Sequence, residues 1–269
     1  AVSAALLPAL WTDRMPPVRA YAWPVALCAG FYLLGQAGLF FTLRRADASR
    51  VSPLLGLKVA VVAVLTVAAL GGTIAPVQWA AVCVSVAAAV VLGSVGGRMG
   101  LSAFAGIAFA CFAYAVSDIH IVQSQQALGD LLGEASDAMQ TFYTAVVTMC
   151  LCYVLCGIAA LAAMPWLGAG GWKDLRYAAP FAASWYGAMI CLFSCFGLSA
   201  AVFGEGGVAF GGILQSLRGP ISVVLGAVVA HLGHVHLEGK LSRGVLTDRV
   251  AAALLMALAV ALYALGRQG

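Results

Sequence analysis

The chain has 269 residues, of which 63% are hydrophobic and only 9% charged, with a formal net charge of +4 and a mean hydropathy of +1.01. Too few polar side chains remain to keep a soluble surface wet, which excludes a water-soluble globular protein. The small positive charge reflects loops and lipid headgroups, and with no Walker loop, dinucleotide fingerprint or basic-aromatic array, nothing points to nucleic acid or a nucleotide.

In chain order, the first apolar run, 1–10, is half of the roughly 20 residues that cross a bilayer core. Run 21–43 does cross, and Tyr32 and Gln36 stand four apart on one face of its helix, deep enough to line a cavity. Run 51–70 contains Pro53 and spans if it tolerates Lys58. Lys58 has two readings: a positive centre or proton-linked switch, since a desolvated lysine readily loses its charge, or a lysine reaching back to the interface. Its depth, about 12 Å at the α-helical rise, favours the first.

Runs 74–97 and 99–117 follow, both uncharged up to Gly97 and Ser117. Asp118, just beyond, reads equally as a titrating or ligand-pairing acid and as a solvated acid at a helix end. Between Asp118 and Gln140 the chain turns polar, yet Ile121, Ala127, Leu128, Leu131, Leu132 and Ala135 keep a helical spacing. That pattern predicts a short amphipathic helix on the membrane surface, either a structural loop or a gate.

Runs 139–164 and 177–204 cross next. The second carries Trp185 and Tyr186, aromatic groups with polar tips that suit either an interfacial belt or the wall of a cavity. Run 206–237 spans with one basic residue, Arg218, and contains Gln215 as a further cavity candidate and Pro220. Arg218 keeps its charge under ordinary conditions, so it needs an anionic or carbonyl partner unless it lies at the interface. His231, His234 and His236 precede Glu238 at the end of this run and read best as interfacial polar residues. Run 250–266 closes the chain. In lipid each backbone polar group must be satisfied within its own segment, so the class is all-α and polytopic.

The eight cysteines all fall inside apolar runs, where they act as small packing groups. No histidine or carboxylate accompanies the pairs Cys152/Cys156 and Cys191/Cys195 at ligand spacing, so no metal site is expected.

The chain also repeats itself. Ala60, Val61, Val62 and Ala63 recur as Ala227, Val228, Val229 and Ala230, and at the same offset Pro53 recurs as Pro220. Tyr21, Ala22, Pro24 and Ala26 line up with Tyr177, Ala178, Pro180 and Ala182. Two similar halves of odd helix count insert in opposite senses and rock around a shared midplane site, with breakers such as Pro53 and Pro220 pointing to that site or gating it. The second echo maps Ala1 onto Gly157, the middle of a helix, so the chain is expected to begin partway through its second helix.

The passage "FFTLRRADASRVSPLLGLKVAVVAVLTVAALGGTIAPVQWAAVCVSVAAAVVLG" resembles the third to fifth helices of a repeat from the drug/metabolite transporter superfamily, the EamA-like domain. The passage "LQSLRGPISVVLGAVVAHLGHVHLEGKLSRGVLTDRVAAALLMALAVALYALG" resembles the matching end of the second repeat, with Glu238 where that family often carries a glutamate and Gly71 at the corresponding first-half position. The resemblance implies ten helices in two inverted five-helix repeats, 1–97 and 98–269, with the first helix and part of the second missing from this chain. Nine Lys/Arg lie on one side of the alternating loops and three on the other, which puts the C-terminus outside, whereas the family's usual topology puts both termini in the cytoplasm.

The function expected is a secondary active transporter, an exporter of a small polar or amphipathic metabolite by alternating access, driven by proton coupling or exchange and using no cofactor. Lys58, Arg218, Tyr32, Gln36, Gln215, Trp185 and Tyr186 are the substrate-binding candidates; Asp118, Pro53 and Pro220 are candidates for coupling or gating. The setting expected is the bacterial inner membrane, with a small-molecule substrate and the lipid bilayer as partners, no nucleic acid, and a monomeric or homodimeric state. The competing class is a non-transporting membrane subunit of a larger complex. An enzyme is not expected, since no catalytic pairing falls on neighbouring faces.

Overall fold

A computed structural model of the chain describes residues 2–46, 51, 54–71, 73–94, 100–133, 136–167, 172–217, 221 and 243–266. Pro53, Arg218, Pro220, the three clustered histidines, Glu238 and the second copy of the Ala-Val-Val-Ala echo lie outside the described residues. Within them the secondary structure is helical, with no strand. In order come α1 Val2–Leu6, α2 Val18–Leu43, α3 Lys58–Leu70, α4 Pro76–Ser94, α5 Leu101–Leu128, α6 Asp137–Leu167, α7 Trp172–Phe203, α8 Gly207–Ser216 and α9 Arg243–Leu265. Short 3-10 turns at Leu55–Leu57 and Gly204–Gly206 lead into α3 and α8.

Val18–Leu43, Leu101–Leu128, Asp137–Ala163 and Ala179–Phe203 are long and apolar enough to cross a membrane, and shorter apolar helices occupy Leu55–Ala68, Pro76–Val91 and Leu254–Leu265. Large apolar side chains stand outward along these helices, with Leu101 85%, Trp23 71% and Phe181 70% exposed. In water such a surface would aggregate; against hydrocarbon it needs no cover.

The chain forms two compact units, and α2 and α5 each contribute to both. Unit 1 holds Ala1–Leu33 and Ser117–Gly204. In it α6 packs along α7 and receives α1. Cys152 and Cys156, one turn apart on α6, direct their thiols at the Val25 and Ala29 carbonyls of α2, each at 3.9 Å. Ser117 Oγ on α5 donates to the Cys28 carbonyl at 3.0 Å. Small side chains with weak donors thus let these backbones approach, and every cysteine is free.

Unit 2 holds Leu34–Val116 and Glu205–Gly269. Here α2 crosses α5 where neither has bulk: a Cβ on Gly35 would stand 2.6 Å from the Tyr114 ring, and one on Gly106 2.5 Å from Thr42 Oγ1. Such small-residue crossings are how helices gain van der Waals contact in lipid. Val51, Leu54 and Leu55 fill the space beside this crossing, against Ile107, Ala110 and Cys111 of α5. A second cluster joins Ala88 and Ala89 of α4 to Ala252 and Met256 of α9, and the Gln78 side chain meets Gly266 at the other end, so α4 and α9 run antiparallel. The start of α4 is capped locally, with Pro76 in its first turn and Gln78 Oε1 accepting the Ala75 N–H at 2.9 Å.

One expectation fails here. No separate surface helix follows Ser117, because α5 continues unbroken to Leu128. The acidic residues behind that expectation are Asp130, Glu134 and Asp137, of which Asp130 and Asp137 are exposed. Within the continued helix Ser124 Oγ donates to the His120 carbonyl one turn back at 2.6 Å and Gln125 Nε2 to the Phe193 carbonyl of α7 at 3.0 Å. A polar side chain that finds a backbone acceptor on a neighbouring helix is compatible with burial, which periodicity cannot reveal. The helix ends at Gly129, whose φ of +64° suits glycine, and the turn beyond it is tied by Asp130 Oδ1 accepting the Leu132 and Gly133 N–H groups.

Candidate functional site

Three helices of unit 1 bring aromatic side chains together. Tyr32 of α2, Tyr153 of α6 and Trp185 of α7 form a closed triangle of polar tips: the Tyr153 hydroxyl donates to that of Tyr32 at 3.2 Å. The indole N–H of Trp185 is shared between Tyr32 Oη at 3.2 Å and Tyr153 Oη at 3.1 Å. The Tyr32 and Tyr153 rings are tilted with centroids 5.8 Å apart, and Tyr186 meets Tyr153 edge-on at 6.4 Å. Tyr186 Oη in turn contacts Ser3 Oγ at 3.3 Å and Cys150 Sγ at 3.4 Å. All four aromatic residues are half-buried, while Phe181, which stacks on Trp185, is exposed.

Trp185 therefore joins α2 and α6, and Tyr186 joins α1 and α6, through hydrogen bonds inside unit 1; the sequence leaves an interfacial belt and a cavity wall open for both. Locally the arrangement follows from helix periodicity: Tyr32 falls on the α2 face one turn beyond Cys28 and Ala29, which already face α5 and α6. Tyr153 was absent from the sequence candidates, since a lone tyrosine in an apolar helix looks like packing. Its spacing of one residue from Cys152 and three from Cys156 was the available clue.

Asp118 belongs to unit 1 and is 4% exposed. It sits ten residues before the end of α5, not at a helix terminus, because the helix does not stop where the apolar run does. A carboxyl inside a spanning helix is costly unless it meets partners or water, which is the usual mark of an ion or proton path.

Unit 2 carries the other described candidates. Lys58 opens α3 immediately after the 3-10 turn Leu55–Leu57 and is 4% exposed, so its side chain is taken up by protein. A change from 3-10 to α geometry within a helical run is a frequent hinge. Gln36 lies one turn beyond Tyr32 on α2 and is half-buried. Gln215 lies on α8, which packs on α3 where Gly212 faces Val59; its Oε1 is buried and meets no donor among the described residues. Lys58 and Gln215 stand within one turn of that helix contact.

Gly71 ends α3 in the left-handed conformation with φ +67° and its N–H on the Thr66 carbonyl. Glycine is there because it terminates the helix at no steric cost.

A chain built of membrane-length helices, with a half-buried aromatic cluster and buried Lys58 and Asp118, calls for comparison with known transporters. Residues 1–94 match the EamA-like transporter family. This bears out the resemblance read in the sequence, and the family is part of the drug/metabolite transporter superfamily. The EamA-like match spans α1 to α4, including Tyr32, Gln36 and Lys58. Together with the apolar helices it supports an integral, multi-pass membrane protein and suggests a membrane transporter of the drug/metabolite type. EamA-like family members are transporters, not enzymes. No curated protein matches the chain significantly.

Proposed function

We propose that the protein is a secondary active exporter of a small polar or amphipathic metabolite, working by alternating access of two inverted repeats, 1–97 and 98–269, in a bacterial inner membrane. The observation that carries this reading is the burial of Lys58 and Asp118, each 4% exposed, within helices of a predominantly apolar chain. Each ionised group costs several kcal/mol away from water, so ones retained at this depth fit a route for a proton or a charged solute. Tyr32, Tyr153, Trp185 and Tyr186 supply flat apolar faces with hydroxyl and indole tips, the chemistry an amphipathic metabolite needs. Gln36 and Gln215 add neutral hydrogen-bonding groups, and Arg218 remains a further substrate-binding candidate. Pro53 and Pro220 remain gating candidates. Proton coupling or exchange, a monomer or homodimer, and no cofactor complete the proposal.

The test is flux into or out of proteoliposomes under an imposed proton gradient, with a panel of amino acids, nucleosides and organic anions. Gradient-driven flux should fall at least about tenfold in Lys58→Ala and in Asp118→Asn, the loss expected when about 1.4 kcal/mol of coupling is removed. Unchanged flux in both variants would overturn the role given to these residues.

A further inference from the structure

Unit 1 contains a second recess, separate from the aromatic cluster. A cavity of about 250 Å³ opens where the end of α5, the start of α6 and the last turns of α7 meet. Its polar wall is Gln125, Gln126, Gln140, Thr141 and Thr144, and its apolar wall is Val122, Ala200 and Ala201 with the glycines 129 and 197.

Several features make this a shaped site and not a packing fault. Gln140 is wholly committed: Nε2 donates to the Gly129 carbonyl and to Thr144 Oγ1, both at 3.0 Å, and Oε1 accepts the Leu132 N–H at 2.8 Å. Gly129 and Leu132, just beyond α5, are therefore tied to the first turns of α6. Gln125 is fixed through its Nε2 on the Phe193 carbonyl, which leaves Oε1 as its acceptor. That oxygen lies beside Gly197, where a Cβ would stand only 2.5 Å from it and 2.9 Å from Thr141 Cγ2. Gly197 thus offers bare helix backbone against which Gln125 and Thr141 pack directly. Gln126, exposed at the rim, brings a second carboxamide with both donors and an acceptor.

Among the described residues no ionisable side chain lines the cavity. A charged solute entering it loses hydration with no counter-charge in return, so the lining selects a neutral one. Two glutamine carboxamides offer an acceptor and donors in planar groups, the complement of another primary carboxamide, while Val122, Ala200 and Ala201 suit a small apolar body. We infer that this cavity is a binding site for small neutral primary carboxamides, distinct from the aromatic cluster proposed for the transported metabolite.

The test is saturation-transfer NMR on the full chain in lipid nanodiscs, with empty nanodiscs as reference. Nicotinamide is the probe and nicotinate its charged counterpart. Nicotinamide is expected to receive saturation and nicotinate to receive little. Gln125→Leu and the rim substitution Ala201→Leu should each weaken nicotinamide binding about tenfold, the loss of one or two hydrogen bonds or of the space itself. Gly197→Val should abolish it, and because that change crowds Gln125 and Thr141, the exposed Ala201→Leu keeps the test valid if Gly197→Val does not fold. Trp185→Ala should leave the nicotinamide signal intact, which separates this site from the aromatic one. Equal saturation of nicotinate, no saturation of nicotinamide, or an unchanged signal in folded Ala201→Leu would overturn the inference.

Discussion

Trp185 has one N–H and gives it to two tyrosine hydroxyls, which makes it the centre of the aromatic cluster. Trp185→Phe keeps most of the apolar contact and removes only that donor. Removing it should cost about 1 kcal/mol in thermal unfolding measured in detergent, and flux should drop several-fold more than stability accounts for if the hydroxyls are held for a solute. A variant with wild-type flux and wild-type unfolding would show the triangle to be idle. At this scale the sequence made the charged candidates easy to see, because Lys58 and Asp118 stand in apolar surroundings where any charge is conspicuous. Tyr153 and Gln125 were harder: an aromatic or an amide in such a helix acquires meaning only from the residue on the next helix that meets it.

Among elements, the boundaries of the apolar runs were a good guide to where helices lie and a poor one to where they stop. Asp118 ends the uncharged stretch, yet α5 continues for ten residues because Ser124 and Gln125 find backbone acceptors. Gly71 shows the reverse case, a stop written in one residue. A Cβ on Gly71 meets nothing within 4 Å, so the cost of Gly71→Ala is conformational alone. It should lower stability by about 1 to 2 kcal/mol in detergent unfolding, with Gly71→Asn milder because asparagine tolerates left-handed geometry. Equal stability of all three would mean that α3 does not rely on this terminator.

For the whole molecule the governing solvent is lipid. Cys83 and Cys191 are exposed on α4 and α7, both apolar helices, so a membrane setting predicts that they face hydrocarbon. In sealed vesicles they should resist a charged maleimide and react only after denaturation in detergent, since a charged reagent does not enter hydrocarbon. Rapid labelling of either in intact vesicles would contradict the membrane placement of its helix. Composition and run length alone determined that this chain is helical and membrane-embedded, because hydrocarbon leaves the backbone no other way to satisfy its hydrogen bonds. The passages around Lys58 were enough to point to the EamA-like family. Which residues meet was decided only in three dimensions: Tyr32, Tyr153 and Trp185 lie on three helices more than thirty residues apart in sequence. The Gln125–Gly197 recess likewise depends on how α5, α6 and α7 pack. Helical periodicity assigns each side chain to a face, but which face meets which neighbour is set by packing between helices, and small residues such as Gly35, Gly106 and Gly197 mark close approach without naming the partner.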